Sequence, residues 1–574
     1  MSIKMKPIVS SEPCPPLNLS QLRDLVLADA GLDQRRRGEA ASALRCLAKA
    51  LRQPMETIAA NPEQLRKRLA AYTPAMAGLS PGRWRNIRSL LQFALEHAGI
   101  VTVPGRYRQA PSVHWNALLT LLTAYGDRYR LGRLGRYCTS AGVEPEAIDD
   151  TVLSAFLEDF QTHSLVAEPR RVHRDVIIAW NRNLAAHRGW PQRQLSVPDN
   201  RHRYAIPWST FPASLKADVE AWLDRLAGRN PMVEWDFRPL RAASLRTRER
   251  QMHLFISALV IRGQDPAALL TLADVVTPER VAQGLRYFGE RAGNRASVHS
   301  GRIAGLLLST AKHWVGADQE ALDRLKKIAH RIRPRESGMT LRNRERLRPL
   351  DDPKRLQEFL TLPQRIRAEV CRGGKPTRSL ALAMQTAVMV ELLILIPMRI
   401  LNLANLQLGV HLLCGRRGEM TLVLEENEVK NRMPMEAPLP ASTVEMLNVY
   451  VSRYRPLLAN GGSAWLFPGR SAGGNKGCEG LRQQIQKCLR TRCGLRFHPH
   501  LFRHAAARLM LSNNPGAHGQ VQRVLGHKTI STTLKYYSGM ETTAALEHYD
   551  AQVLMLRGEA CAPGTKMPYR RNRP

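Results

Sequence analysis

From about Leu17 to Ser309, apolar positions recur three and four residues apart, with few alternating runs. That spacing predicts amphipathic helices rather than strands. A weak internal repeat runs through the pattern. Leu65-Arg-Lys-Arg-Leu69 is followed by an apolar-periodic stretch ending at His97. Leu153-Ser-Ala-Phe-Leu157 is followed by one ending at His187, and Val281-Ala-Gln-Gly-Leu285 by one ending at His313. The step from the second Leu to the closing His is 28, 30 and 28 residues. Pro62-Glu63, Pro145-Glu146 and Pro278-Glu279 precede the first helix of each pair, as suits a helix's first turn. Three small helical units are predicted, the third at 231–330.

Between 190 and 240, Pro191, Pro198, Pro207, Pro212 and Pro231 mark a connector holding one short helix near Leu215–Leu226. Residues 331–350 read as a basic linker, rich in Arg and poor in apolar residues. The pattern changes at 351. Helices are predicted from Pro353 to Leu362, Ser379 to Ile396, Ala441 to Leu457, Leu481 to Arg492, Leu501 to Ser512 and Val521 to Leu525. Met420–Leu424 and Met435–Leu439 read as strands around a turn at Asn427–Arg432. Thr542–Leu556 is helical in pattern. The fold class is mainly α with an α+β C-terminal domain. The expected divisions are 1–105, 106–230, 231–330, 331–350, 351–557 and a basic tail, 558–574. Residues 1–20 are expected to be poorly ordered.

Charge narrows the partners. Lys and Arg outnumber Asp and Glu by 85 to 49, a net charge of +36 in 574 residues. A surplus of that size points to a polyanion. Charge alone does not choose among DNA, a ribosome and an anionic membrane. The nine cysteines include no C-x-x-C pair, which argues against a zinc module or disulfide framework and fits a reducing cytosol. No signal peptide is expected from Met1–Leu17. The most apolar run, Ala387–Met398, contains Glu391 and reads as a buried helix rather than a membrane span.

Candidate chemistry lies near the C-terminus. His498-Pro-His500-Leu-Phe-Arg503-His504 is followed by Leu525-Gly526-His527, and Tyr536 stands nine residues after His527. No acidic residue lies between His498 and Gly539. That suits a site that receives a phosphodiester, since a carboxylate there would repel it. Displacement at phosphorus needs a nucleophile, cations for the charge on the phosphorane oxygens, and groups that manage protons.

The order H-x-x-R-H, L-G-H and then Tyr resembles the tyrosine recombinases, the phage-integrase family. Thr529-Ile-Ser-Thr-Thr-Leu-Lys-Tyr536 is similar to the stretch that leads to their nucleophile, and the resemblance spans roughly 350–555. It implies cutting and rejoining of duplex DNA through a 3′-phosphotyrosine, without metal, ATP or another cofactor. It makes Tyr536 the nucleophile in preference to its neighbour Tyr537, and Arg503 a phosphate clamp. Ile396-Pro-Met-Arg399 resembles the family's first arginine box. Lys430 matches the hairpin lysine, with Arg432 as a competing contact, and is implied to be the acid for the 5′-oxygen. His500 and His527 are implied to manage protons at the phosphate. The family usually has an acidic residue three after the first arginine, where this chain has Asn402; an amide there can still accept a hydrogen bond from Arg399. The family also carries one helical core-binding domain before the catalytic one, so the third unit matches by position and the earlier two are extra DNA or subunit contacts.

The implied protein is a site-specific recombinase of a mobile element. It is cytoplasmic, takes no small-molecule substrate and no membrane, and works as a homo-tetramer on paired duplexes. Rival readings are a type IB topoisomerase, a non-catalytic DNA-binding accessory protein, a metal site at His498, His500 and His504, and a helix-turn-helix at Gln520–Tyr536.

Overall fold

The computed structural model describes residues 17–101, 110–198, 205–228, 239–294, 297–333, 338–514, 516–537 and 542–558. The expectations for residues 1–16, for linker residues 334–337 and for tail residues 559–574 fall outside the described residues. Two compact units emerge: residues 198–337 form one, and residues 1–197 with 338–574 form the other.

The repeat is wider than the helix pairs that announce it. Its first copy runs Leu19–Ala28, Gln34–Leu51, a 3₁₀ turn Met55–Thr57, Pro62–Ala71 and Pro81–His97. Its second runs Val113–Thr120, Tyr125–Ala141, a 3₁₀ turn Pro145–Ala147, Asp150–Thr162 and Pro169–Ala186. Its third runs Ala213–Ala227, Ala242–Ile261, a 3₁₀ turn Pro266–Ala268, Pro278–Arg291 and Val298–Thr310, with a one-turn helix Leu272–Val275 inserted. In each copy the long second helix ends on a left-handed residue: Arg52, Gly142 or Gly263. A proline two or three residues later sets the 3₁₀ turn, and a fully buried Ile58, Ile148 or Leu269 follows it. Pro145 therefore opens a turn and not a helix; Asp149 caps the helix behind it by accepting from the Val152 N–H. Asn61 and Thr277 cap the corresponding helices in the same way.

Each copy buries its own core. Leu44, Leu47, Ile87 and Leu91 lie in the first. Trp115, Trp180 and Trp190 lie in the second. Phe255, Leu259, Val281 and Leu307 lie in the third. The connector helix, Ala213–Ala227, belongs to that third core, into which it sends Leu215, Val219 and Trp222.

The C-terminal domain is built round the apolar helix Arg378–Leu395. That helix is long and apolar enough to cross a membrane, yet most of it is buried inside the domain. Its one carboxylate, Glu391, is satisfied there by the Thr443 hydroxyl at 2.8 Å and the Gln364 amide at 3.0 Å. A small antiparallel sheet contributes to the same core, with β1 Leu412–Cys414, β2 Met420–Leu424 and β3 Met435–Pro438 in that order. Leu412 faces Leu422, and Leu424 faces Met435. β2 and β3 are the predicted pair; β1 is too short to show alternation. The helices Ala441–Val449, Cys478–Arg492, Pro499–Asn513, His518–Leu525 and Ile530–Tyr537 follow. The last described helix is Thr542–Leu556, as the pattern predicts.

Candidate active site

Pro499 opens the helix that carries His500, Arg503 and His504, and holds His498 extended before it. Arg503 points inward and is 3% exposed. Its Nη1 donates to the Pro397 carbonyl at 2.7 Å, and its Nη2 to the Leu525 carbonyl at 2.5 Å. One guanidinium thus ties together the stretch before Arg399, the H-x-x-R-H helix and the helix ending at Gly526. Gly526 takes the left-handed conformation that stops that helix (φ 57°) and sends His527 off it. Burial, and then the nearby charge of Arg399, bring the Arg503 pKa down to about 10, so it stays protonated at neutral pH.

Arg399 caps the short helix Ile400–Ala404 and is partly buried, which lowers its pKa. Among the described residues no hydrogen bond or ion pair holds its guanidinium. The expected contact from Asn402 is absent. Asn402 is buried, and its amide Nδ2 turns instead to the Glu428 carbonyl at 3.4 Å. It steadies the hairpin and not the arginine.

That hairpin carries Lys430, exposed on the turn between β2 and β3. Two more contacts fix the turn. The Asn431 Nδ2 donates to the Gly526 carbonyl at 2.8 Å. Buried His411 meets the Glu428 carboxylate through Nε2 at 2.7 Å. Its Nδ1 accepts from the Gln407 N–H at 2.9 Å, which assigns the proton to Nε2. His411 and Glu428 are positioning groups that the sequence did not disclose, because seventeen residues separate them and neither sits in a recognisable spacing.

His527 sits with Nδ1 2.9 Å from the Thr533 hydroxyl, which fixes its ring and leaves Nε2 without a protein partner among the described residues. Desolvation comes first in lowering its pKa to about 4, then the charges of Arg503 and Arg399. Desolvation and the same two arginines lower His500, which is open to solvent on one side. Arg399, His500, Arg503 and His527 therefore share one electrostatic field. Tyr536 lies at its rim, 40% exposed, its ring 6.5 Å from that of His504. Tyr537 is 2% exposed, stacked on His527 at 6.3 Å, and burial raises its pKa to about 12. No group of three or more His, Cys, Asp or Glu able to hold a metal occurs among the described residues.

The linker reaches the site as well. Desolvation, with Arg346 and Arg342 among the nearby charges, lowers His498 to about 4. Gly338 takes φ +98°, and a Cβ there would lie 2.7 Å from the carbonyl oxygen of Lys535, next to Tyr536.

Residues 375–542 match the model of the phage integrase family. The match is confined to this part of the chain, which holds Arg399, Lys430, His500, Arg503, His527 and Tyr536. Similar solved structures include XerA recombinase, 13% identical over 59% of this chain and 98% of that one, with a TM-score of 0.26. XerH site-specific recombinase bound to difH substrate in a pre-cleavage complex is 14% identical over 58% and 95%, at 0.29. The integrase from mycobacterium phage Brujita is 17% identical over 57% and 90%, at 0.22. Among curated proteins none matches this sequence.

Two measurements test the site as built. His504 is held down to about 3 by burial first, and His498 and His527 to about 4. An unfolded chain takes up those protons near ~6.5. Between the two values the unfolded state binds more protons, so stability is present above about pH 6.5 and is lost as pH falls toward the folded values. The slope is up to about 1.4 kcal/mol per pH unit for a well-buried histidine such as His504. Melting followed by circular dichroism should show the catalytic domain weakening on acidification, and His504→Gln should flatten the trend. A melting temperature independent of pH in this window contradicts the arrangement.

Gly338→Ala should push on the Ile530–Tyr537 helix and speed trypsin cleavage after Lys535. Gly374→Ala is the control: it has φ +76° but nothing within 4 Å of a Cβ. Equal cleavage in both variants would mean backbone strain and not collision.

Proposed function

We propose that this chain is a DNA strand-transferase that recombines duplex DNA at specific sites through a covalent bond to Tyr536. The observation that carries the reading is the Arg503 guanidinium, buried without a carboxylate and anchored on two carbonyls from the neighbouring boxes. Two of its five N–H donors are spent on those carbonyls; the rest remain for an anion. Arg399, with no protein partner among the described residues, adds the second cation. Both histidines nearby are neutral at physiological pH and so can share protons with phosphate oxygens.

In the proposed step the Tyr536 phenol oxygen attacks phosphorus as its proton passes to a neutral histidine of the site, His500 or His527, which returns it in the reverse step, and Arg399 and Arg503 bear the charge on the non-bridging oxygens. The bond to the 5′-oxygen breaks, and Lys430 on its hairpin gives that oxygen a proton. The product is a 3′-phosphotyrosine and a free 5′-hydroxyl. A 5′-hydroxyl from a partner duplex reverses the step, and the phenol is regenerated. The ester retains the energy of the broken bond, so neither ATP nor a metal is required. Tyr536 is favoured over Tyr537 because it is open, whereas Tyr537 is walled in by His504 and His527.

DNA as the partner is supported by charge placement. In the unit 198–337, Arg246, Arg250, Arg291 and Arg302 line one cleft with no carboxylate in its wall. Strand exchange between two duplexes calls for several subunits, a tetramer in this reading. The last helix leaves Leu546, Tyr549, Met555 and Leu556 exposed for a second copy. The DNA would belong to a mobile element, and the protein would work in the cytoplasm.

Wild type and Tyr536→Phe, incubated in EDTA with nicked duplex from the gene's own flanks, should differ on a denaturing gel: a covalent protein–DNA band for wild type alone. Loss of the band in Tyr537→Phe with retention in Tyr536→Phe would move the nucleophile by one residue. Deleting 541–574 should leave the band and abolish pairing of two duplexes in native gels; intact pairing would remove the role given to the last helix.

A further inference from the structure

The first helical unit has no part in the chemistry above, yet it grips the catalytic domain. Its helix Pro62–Ala71 ends with carbonyls that lack partners within the helix, at the negative end of the helix dipole. Arginines of the catalytic domain supply the missing donors. Arg490 donates to the Ala70 carbonyl, and Arg496 to the Ala71 carbonyl at 2.7 Å. The Thr73 hydroxyl, almost fully buried, returns a hydrogen bond to the Arg490 carbonyl at 2.8 Å. Arg355 reaches the Ala75 and Cys493 carbonyls, both at 3.4 Å. Gly494 (φ +69°) lets the two backbones touch: a Cβ there would lie 2.8 Å from the Met76 nitrogen.

What is gripped matters. Six residues after Gly494 comes His500. Between them Leu495 and Phe497 are buried, and Phe497 lies against Phe359 and Phe502 with ring centroids 5.6 and 6.3 Å away. The path from the docked loop to His500 and Arg503 is short and closely filled. At its other side the same helix holds the second unit. Buried Arg66 donates from Nη1 to the Gln161 and Ser164 carbonyls, both at 2.9 Å. Helix Pro62–Ala71 is therefore a strut between the second unit and the lead-in to the catalytic helix.

We propose that the first helical unit is a brace acting in cis: residues 70–76 hold the segment that delivers His500 and Arg503, and Thr73, Arg490 and Arg496 are positioning residues. The claim on catalysis rests on the function proposed above; the claim on docking does not. The unit's docked end, its helix carbonyls occupied, is then a protein contact rather than a DNA clamp.

The test uses the full chain with two variants. Thr73→Val removes two hydrogen bonds, to the Arg490 carbonyl and from the Met76 N–H, and no charge; Arg490→Ala with Arg496→Ala removes the carbonyl donors. Amide hydrogen exchange is read at 70–76 and 493–500 without DNA, and adduct formation and DNA affinity are read with nicked duplex. The brace predicts faster exchange in both segments, by at least about 10-fold in the double variant. It predicts an adduct rate about 10- to 100-fold lower, since a misplaced catalytic group costs that much. DNA affinity of Thr73→Val should stay within about twofold of wild type while its adduct rate falls. Unchanged exchange at 493–500, or faster exchange with an unchanged adduct rate, overturns the brace. A wild type that forms no adduct removes the phosphotyrosine reading instead, and exchange alone then confirms or removes the docking.

Discussion

A buried guanidinium with no counter-charge governs this domain. Taking Arg503 out of water is costly, and two carbonyl dipoles offset only part of that cost. The same hydrogen bonds make Arg503 a structural keystone, because the Pro397 and Leu525 carbonyls lose their donor if it goes. A lysine cannot stand in, since one ammonium does not span two carbonyls and still present a flat edge. One interaction thus assembles the three boxes.

The grouping of the candidate residues was legible where it is local. His500, Arg503 and His504 share one helix, and Gly526 stops another, so spacing carried the information. The hairpin, the central apolar helix and the last helix followed from periodicity and turn residues, while Lys430 was singled out by the family resemblance. What stayed hidden depends on contacts between distant residues. Asn402 looked like a weakened partner for Arg399, whereas its amide is spent on the Glu428 carbonyl. His411 finds Glu428 only once β1 and β2 form. The docking of residues 70–76 spans more than four hundred residues and rests on backbone carbonyls, which no side-chain pattern reports. The helical repeat was visible as a Leu-to-His step, but its firmer mark is the left-handed cap followed by Pro and a buried Ile or Leu.

Charge divides the copies of that repeat. Residues 110–198 hold ten Lys and Arg against nine Asp and Glu, nearly neutral in a chain of net charge +36. Asp127 there is buried and takes Arg182 and Arg130 as partners, so arginine is used internally. In residues 198–337 arginines instead line an open cleft. One architecture has been turned to different surfaces, and exposed Val113, Tyr125 and Tyr129 on the neutral copy fit a role other than gripping a polyanion.

Tandem copies of one architecture also create a hazard while the chain is folding. Neighbouring copies meet at high local concentration, and a helix from one can compete for the corresponding place in the next. The third copy answers this sterically. Its Gly284 lies where a Cβ would come within 2.5 Å of the Phe255 ring. In the register of the repeat, Gly284 corresponds to Arg68 in the first copy and Phe156 in the second. Either helix, inserted in place of Pro278–Arg291, would drive a large side chain into that ring. The missing side chain at one position thereby bars the other two helices from the third copy's core.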